Sequence, residues 1–247
     1  MTSLVRAEFL KLRTTRAWIG YTLALLVVSG LGAAAQVADA QNADLGTSEF
    51  SHELLMSALF ADLTVFLIGI VSVTAEWRHG TITRTFLATP RRERVLVAKA
   101  VAALLVGAVL ATLAIVAVFA VAVPWISIEG SSFAVDGGLA ARMGQLVLAV
   151  ALVGALGVGF GAVIQSQTAA IVVGIIWVLL VENLIQVLLG LVDLEAIADF
   201  LPVRALGALE ESVEDGLSPW AGGLVGLGWV LAIGAAGYVR TARRDVT

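Results

Sequence analysis

The chain of 247 residues contains no cysteine and only two histidines, His52 and His79. The lack of cysteine excludes disulfides, cysteine-based zinc sites, iron–sulfur clusters and thiol catalysis. Two histidines are too few for a histidine-rich metal site, so the sequence predicts no bound metal. Charge is scarce as well, because Asp, Glu, Lys and Arg make up 14% of the residues, against about 25% in soluble domains. Together these shortages argue against a soluble enzyme, a disordered chain and a nucleic-acid-binding protein.

Apolar sequence, by contrast, is abundant. Hydrophobic residues make up 60% of the chain, against about 45–50% in soluble domains. Several apolar runs reach the roughly 20 residues that a membrane-spanning helix needs, and they are apolar on every side, which favours helices over alternating barrel strands. The sequence therefore predicts an all-α integral membrane protein with six transmembrane helices, at about 17–38, 54–75, 95–123, 143–164, 169–190 and 219–239.

Basic residues predict the orientation of these spans, because Lys and Arg concentrate in cytoplasmic loops. All of the 15 Lys and Arg residues except Arg142 and Arg204 lie in three places. These are the N-terminal segment 1–16, the loop 76–94 together with Lys99 at its edge, and the tail 240–247. The segments between spans on the other side are acidic. We therefore expect both termini and the loop 76–94 on the cytoplasmic side.

The most informative stretch is the loop after the second span, EWRHGTITRTFLATPRR at residues 76–92. Gly80 suits a break after the span, and Thr81 to Ala88 is long enough for about two turns of helix. Thr89 and Pro90 suit the N-cap and first residue of the next helix. The pattern predicts a short helix held between two spans, able to transmit motion from a soluble partner. Alternatively, the basic residues of the loop only contact anionic lipid headgroups.

The order of motifs in this region resembles the permease subunit of bacterial ABC-2 type exporters. An acidic residue ends the second span, an Arg-x-Gly-Thr sequence and a Pro-Arg-Arg sequence follow, and a lysine lies in the third span. The residues that carry this resemblance are Glu76, Arg78, Gly80, Thr81, Pro90, Arg91, Arg92 and Lys99. The N-terminal sequence AEFLKLR at 7–13 and the sequence FLP at 200–202 resemble the same family, and the six-span plan matches over essentially the whole chain.

The resemblance implies the transmembrane subunit of an ATP-driven exporter in a bacterial cytoplasmic membrane. Its substrate would be lipid-like, a peptide or a hydrophobic drug-like molecule, moved out of the cytoplasm or the inner leaflet. A homodimer, or a pair with a related permease, would assemble with two ABC ATPase subunits that bind ATP and Mg. This chain contains no Gly-x-x-x-x-Gly-Lys-Ser/Thr sequence, so ATP hydrolysis is expected on that partner.

The resemblance also assigns roles to particular segments. The stretch from Glu76 to Ala88 would be the coupling helix that docks on the ATPase, and residues 1–16 would form an amphipathic helix along the membrane face. An apolar side of that helix is visible in the sequence, although Glu8 and Leu10 interrupt it. The residues expected to couple to the ATPase are Glu76, Arg78, Gly80, Thr81, Arg84 and Phe86.

Acidic residues inside predicted spans are functional candidates, because charge at that depth is costly. Asp62 lies in the second span, and Glu182 lies in the fifth, next to Asn183 and one turn before Gln186. Both acids are about eight residues from the expected outer ends, so they could share one level. One hypothesis is an acidic path for cationic substrates, and the alternative is that each acid is protonated or hydrogen-bonded across helices.

Two further functions remain open on the sequence alone. If Asp62 and Glu182 couple transport to an ion gradient, the chain is an ATP-independent carrier or channel. A membrane scaffold without transport is the other alternative.

Two structural questions are also left open. Small residues recur every four positions, as at Gly157 and Gly161, which favours close helix packing either within the chain or at a dimer seam. The outer segment 191–218 is either a helix pair that partly re-enters the membrane, as the resemblance implies, or a solvated acidic loop.

Overall fold

The computed structural model describes residues 1–15, 17–40, 44–58, 60–89, 91–210 and 216–243. Pro90, one of the expected site residues, lies outside these ranges. A short 3-10 turn, Leu54–Ala58, and a π-helical segment, Trp177–Val181, interrupt the α-helices. In chain order the α-helices are α1 (Thr2–Thr14), α2 (Ala17–Asp39), α3 (Ser48–Glu53), α4 (Phe60–Arg78), α5 (Ile82–Ala88), α6 (Arg92–Ile128), α7 (Leu139–Ile164), α8 (Gln167–Ile176), α9 (Glu182–Gly190), α10 (Glu195–Ala198), α11 (Pro202–Glu210) and α12 (Pro219–Arg243).

Among the described residues, six helical segments are long and apolar enough to cross a membrane, and no strand is present. The all-α, six-span prediction is therefore confirmed. The segments are Trp18–Asp39, Ser48–Arg78, Arg92–Ile128, Leu139–Ile164, Gln167–Gly190 and Pro219–Arg243.

The third spanning helix, α6, has 37 residues and is longer than a bilayer requires. At 1.5 Å per residue it measures roughly 55 Å, against about 30 Å for the hydrocarbon core. Its N-cap is Arg91, and Thr89 instead closes α5 by donating its backbone N–H to the carbonyl of Thr85 at 2.9 Å. The prediction that Thr89 caps this helix is wrong, because α6 begins two residues later, after Arg91. As the residue before a proline, Thr89 is disfavoured in the helical region and ends α5 instead.

The centre of the bundle is formed by α7, which packs against α4, α6, α11 and α12. Its glycines permit this contact. A methyl group added at Gly157 would collide with the backbone carbonyl oxygen of Phe66 on α4, and one added at Gly161 would lie 2.8 Å from that of Ile70. These small residues therefore serve packing within the chain, which was one of the two interpretations of the sequence pattern.

The fifth span is wound irregularly, since the π-helical segment Trp177–Val181 joins α8 to α9. In a π-helix residues five apart are neighbours. The indole N–H of Trp177 consequently donates to the carboxylate of Glu182 at 2.7 Å. The wide turn thus helps to orient a buried acid towards the rest of the bundle.

The described part of the outer segment contains two short helices, α10 and α11, and α11 packs against the bundle. Pro202 begins α11, as suits a proline in the first turn. Ala205, Leu206 and Leu209 of α11 are buried, and α11 packs on α7 and α12. A methyl group added at Gly222 of α12 would collide with the carbonyl oxygen of Ala205, which shows how closely the two helices approach.

We expect Gly157→Ala to destabilise the bundle, because the added methyl group collides with the carbonyl oxygen of Phe66. Overpacking of this kind costs about 1–3 kcal/mol. Gly144→Ala on the same helix is the matched control, since nothing lies within 4 Å of its added methyl group. The midpoint of thermal unfolding in mild detergent measures both, and equal midpoints would contradict this packing.

Candidate functional site

Four charged side chains meet at the end of the bundle where α1, α5, the end of α4, the start of α6 and the end of α12 lie. We call Glu8, Lys11, Glu76 and Lys99 the charge cluster. The Lys99 ammonium contacts the carboxylates of Glu76 at 2.6 Å and Glu8 at 2.8 Å. Lys11 contacts the same carboxylates at 2.8 Å and 2.6 Å, respectively. The cluster contains two positive and two negative groups, so its formal charges balance.

Lys99 is the centre of the charge cluster, with only 1% of the residue exposed. Its ammonium group has three N–H donors, and the third partner is the backbone carbonyl of Ser72, at 2.8 Å. All three donors are therefore used, on groups from α1 and α4. Burial of an ammonium is tolerable only under such conditions, because an unpaired buried charge is strongly destabilising.

Lys11 lies at the rim of the cluster, with its side chain 46% exposed. Its partial burial alone would lower the pKa, but hydrogen bonds to Glu76 and Glu8 outweigh that effect and raise the pKa of Lys11 above its usual 10.5. A raised lysine pKa stabilises the fold below the usual value and loses that contribution as pH rises through the raised one. Lys11 thus remains charged at physiological pH.

The short helix α5 is fastened to this cluster on its inner side. Thr85 donates its hydroxyl to the second carboxylate oxygen of Glu76 at 3.1 Å. Phe86 is buried with Ile82 and Val95, and the guanidinium of Arg92 lies 5.0 Å from the centre of the Phe86 ring. The turn before the helix requires a left-handed backbone, which Gly80 supplies with φ of 65°.

Arg92 extends the connection to the last span. Its guanidinium donates to the backbone carbonyl of Thr241, near the end of α12, at 2.6 Å. Arg78 similarly donates to the side chain of Gln167 at the start of α8, at 3.3 Å. The charged end of the bundle is thus tied together through α1, α4, α5, α6, α8 and α12.

The outer side of α5 faces away from the bundle. Leu87 is 78% exposed. Thr81 and Arg84 are exposed beside it, and Arg91 is exposed just beyond the helix. We call Thr81, Arg84, Leu87 and Arg91 the α5 outer face. It combines one apolar side chain with two cations.

The expected coupling residues therefore divide into two groups. Arg84 and Thr81 lie on the α5 outer face, whereas Glu76 and Phe86 are buried behind it. This placement changes the role expected of Glu76 and Phe86, from contact with a partner to holding α5 in position. The part that any of these residues plays in coupling stays a prediction.

The two intramembrane acids are not arranged as one site with each other. The Glu182 carboxylate accepts from the backbone N–H groups of Val203 at 3.0 Å and Arg204 at 3.3 Å, which are otherwise free at the start of α11. Asp62 instead forms a hydrogen bond with Glu210, at the other end of α11. Each acid therefore contacts α11 rather than the other.

Two polar residues near Glu182, Asn183 and Gln186, are further sequence candidates for a substrate path. Asn183 is exposed, and its amide donates back to the carbonyl of Leu179 at 2.9 Å. Gln186 is partly buried. No group of three or more carboxylate or imidazole side chains within the described ranges could hold a metal ion.

Sequence reasoning missed Glu8, Lys11 and Thr85 as members of the site. Glu8 was noted only as an interruption of the apolar side of the N-terminal helix. A single acid on an otherwise apolar helix side indicates a buried partner, and the sequence contains a suitable one in Lys99, within an apolar span. The sequence could therefore have indicated the pairing of Glu8 with Lys99. No feature of the sequence around Thr85 indicates its contact with Glu76.

A bundle of six apolar helices that is fastened at one end by buried ion pairs defines a multi-pass membrane protein. A sequence model of the ABC-2 family transporter proteins matches residues 4–181. The chain belongs to the ABC-2 family and is an ABC transporter permease, a transport subunit that is not itself an ATPase. Membership of this family implies association with ABC ATPase subunits. No curated protein matches the chain.

The charge cluster should be essential for folding. We expect Lys99→Met to lower the free energy of unfolding by about 3–5 kcal/mol, because it removes the buried cation between Glu8 and Glu76 and leaves these carboxylates only the half-exposed Lys11. Arg94→Met, on an exposed position of the same helix, is the matched control and should change stability by no more than about 0.5 kcal/mol. Denaturant unfolding in detergent measures both, and a stable Lys99→Met chain would disprove the importance of the cluster.

Proposed function

We propose that this chain is the transmembrane subunit of an ATP-driven exporter. Two permease chains, either two copies or this chain with a related one, would assemble with two ABC ATPases, on which ATP and Mg²⁺ are bound. The cargo would be lipid-like, a peptide or a hydrophobic drug-like molecule, moved out of the cytoplasm or the inner leaflet. Family membership and the absence of an ATP-binding motif in this sequence support the assignment of ATP hydrolysis to a separate subunit.

The orientation that we propose places the charge cluster and α5 on the cytoplasmic side of a bacterial cytoplasmic membrane. Support comes from the concentration of Lys and Arg in 1–16, 76–94 and 240–247. The described parts of all three segments lie at the same end of the bundle, as the contacts from Glu76 to Lys11 and from Arg92 to Thr241 require.

The observation that carries this proposal is the two-sided character of α5. Its inner side is fixed by Thr85 and Phe86, while the outer face presents Arg84 and Leu87 to solvent. A leucine flanked by cations suits a partner cleft with an apolar floor and an acidic rim. Because α5 is fixed to Glu76, a displacement of the helix by the ATPase would move α1, α4 and α6 together.

The test is recovery of an ABC ATPase with the tagged chain from its native host in mild detergent. We expect Arg84→Glu and Leu87→Asp each to reduce the ATPase recovered per permease by about tenfold or more, since loss of an interface hot spot costs at least about 2 kcal/mol. Mass spectrometry identifies the ATPase, and vanadate-sensitive ATP hydrolysis by the recovered complex shows that it is active.

The matched controls are Arg94→Glu and Leu191→Asp. Arg94 is an exposed arginine at the charged end, and Leu191, at 77% exposure, follows α9 at the opposite end. Both controls should retain the ATPase. Equal losses in controls and test variants, or no ATPase with the unaltered chain, would refute the docking assignment.

ATP-dependent movement of a fluorescent lipid and of a hydrophobic dye, measured in vesicles containing the complex, then tests the cargo class.

A further inference from the structure

A pair of ionisable groups, Asp62 and Glu210, lies far from the charge cluster. Asp62 is in the first turn of α4, and Glu210 is the last residue of α11. Asp62 precedes Glu76 by almost four turns of the same helix, or roughly 21 Å at 1.5 Å per residue. Neither acid contributes to the fixing of α5 described above.

The two carboxyl groups lie close enough to share a hydrogen bond. Glu210 is only 8% exposed. One oxygen of each group, Oδ1 of Asp62 and Oε1 of Glu210, is buried without a hydrogen-bond partner. Ionised carboxylates only accept hydrogen bonds, so a bond between two of them requires a proton on one. Without that proton, two negative charges would repel each other at close range.

The surrounding helices supply no cation to these carboxyl groups within the described part of the chain. Arg142 of α7 donates to the backbone carbonyl of Glu210 at 2.8 Å, and so engages the end of α11 rather than the carboxyl group. On α2 the charged residue is Asp39, which is exposed, and α8 carries none. The stretch of α6 beyond Lys99 and the stretch of α12 before Arg240 carry none either.

We propose that Asp62 and Glu210 form a proton-binding site, in which one shared proton holds the C-terminal end of α11 against α4. Burial, and then the neighbouring Asp62 carboxylate, raise the pKa of Glu210 well above its usual range, which is consistent with a retained proton. Loss of the proton leaves two carboxylates side by side, and their repulsion drives the helices apart at this point.

The other end of α11 does not depend on that proton. Its first N–H groups, from Val203 and Arg204, are held by the carboxylate of Glu182. Deprotonation of the acid pair therefore displaces the C-terminal end of α11 from α4, against the hydrogen bond that Arg142 donates to the carbonyl of Glu210. This proton site is independent of docking on α5, and neither assignment requires the other.

The absence of cysteine allows the movement to be measured directly with spin labels on two introduced cysteines. Phe60→Cys labels the exposed start of α4, and Gly207→Cys labels α11 where an added side chain meets nothing within 4 Å. The full-length chain in lipid nanodiscs is studied by double electron–electron resonance from about pH 5 to about pH 9, a range that includes the pKa values of buried carboxyl groups. We expect a short distance at low pH and a longer one at high pH.

Amide substitution then assigns the effect to the pair. Asp62→Asn with Glu210→Gln retains a hydrogen bond without a shared proton, so the short distance should persist at every pH. The single variant Glu210→Gln, whose amide can donate to Asp62, should behave in the same way. Asp39→Asn with Glu49→Gln neutralises two exposed acids and should keep the pH-dependent shift. Size-exclusion profiles and thermal unfolding verify that each variant is folded.

Three outcomes would overturn the proposal. They are a distance that does not change with pH in the labelled parent chain, a shift that survives the amide substitutions, and a shift driven at constant pH by Na⁺ or Mg²⁺ and lost in the amide variants. The last would identify a metal-cation site in place of a proton site. No ATPase is present in this measurement, so its failure leaves the exporter proposal untouched.

Discussion

The buried ammonium of Lys99 is the constraint on which the charged end of this permease depends. An ammonium in an apolar span is costly unless each of its donors finds an acceptor. Here the acceptors come from two other helices, as Glu8 lies on α1 and Ser72 and Glu76 lie on α4. If the N-terminal helix lay elsewhere on the membrane face, Glu8 and Lys99 would lose their ion pair. One satisfied cation consequently specifies where three helices meet.

At the opposite end of the bundle, charged side chains are again paired with buried polar groups, in this case the backbone groups at the two ends of α11. Helix α11 is held at its start by the carboxylate of Glu182, which accepts from free N–H groups, and at its end by the guanidinium of Arg142, which donates to a free carbonyl. These contacts complement both ends of the helix dipole. Helix α4 contributes to both ends of the molecule, through Glu76 at the charge cluster and Asp62 beside α11. It is therefore the direct mechanical link between them.

Close backbone packing supports this arrangement, because hydrophobic burial cannot drive association between helices in lipid. The glycines of α7 bring it against the carbonyl groups of α4, and Gly222 does the same for α12 and α11. Van der Waals contact with α7 helps to hold α4 in place between its two polar ends.

The sequence by itself determined the number of spans, the helical class, the family and the break at Gly80, because length, apolar composition and local backbone preference are properties of short stretches. Which charges pair was decided only by the tertiary structure. Glu8 and Lys99 are 91 residues apart, so no local pattern could join them. The sequence predicts that Asp62 and Glu182 could share a level. In the structure they contact opposite ends of α11, Glu182 at its start and Asp62 at its end. The inward orientation of Phe86 could not be predicted from α5 alone either, since its burial depends on Val95 and Arg92 of the next helix as well as on Ile82.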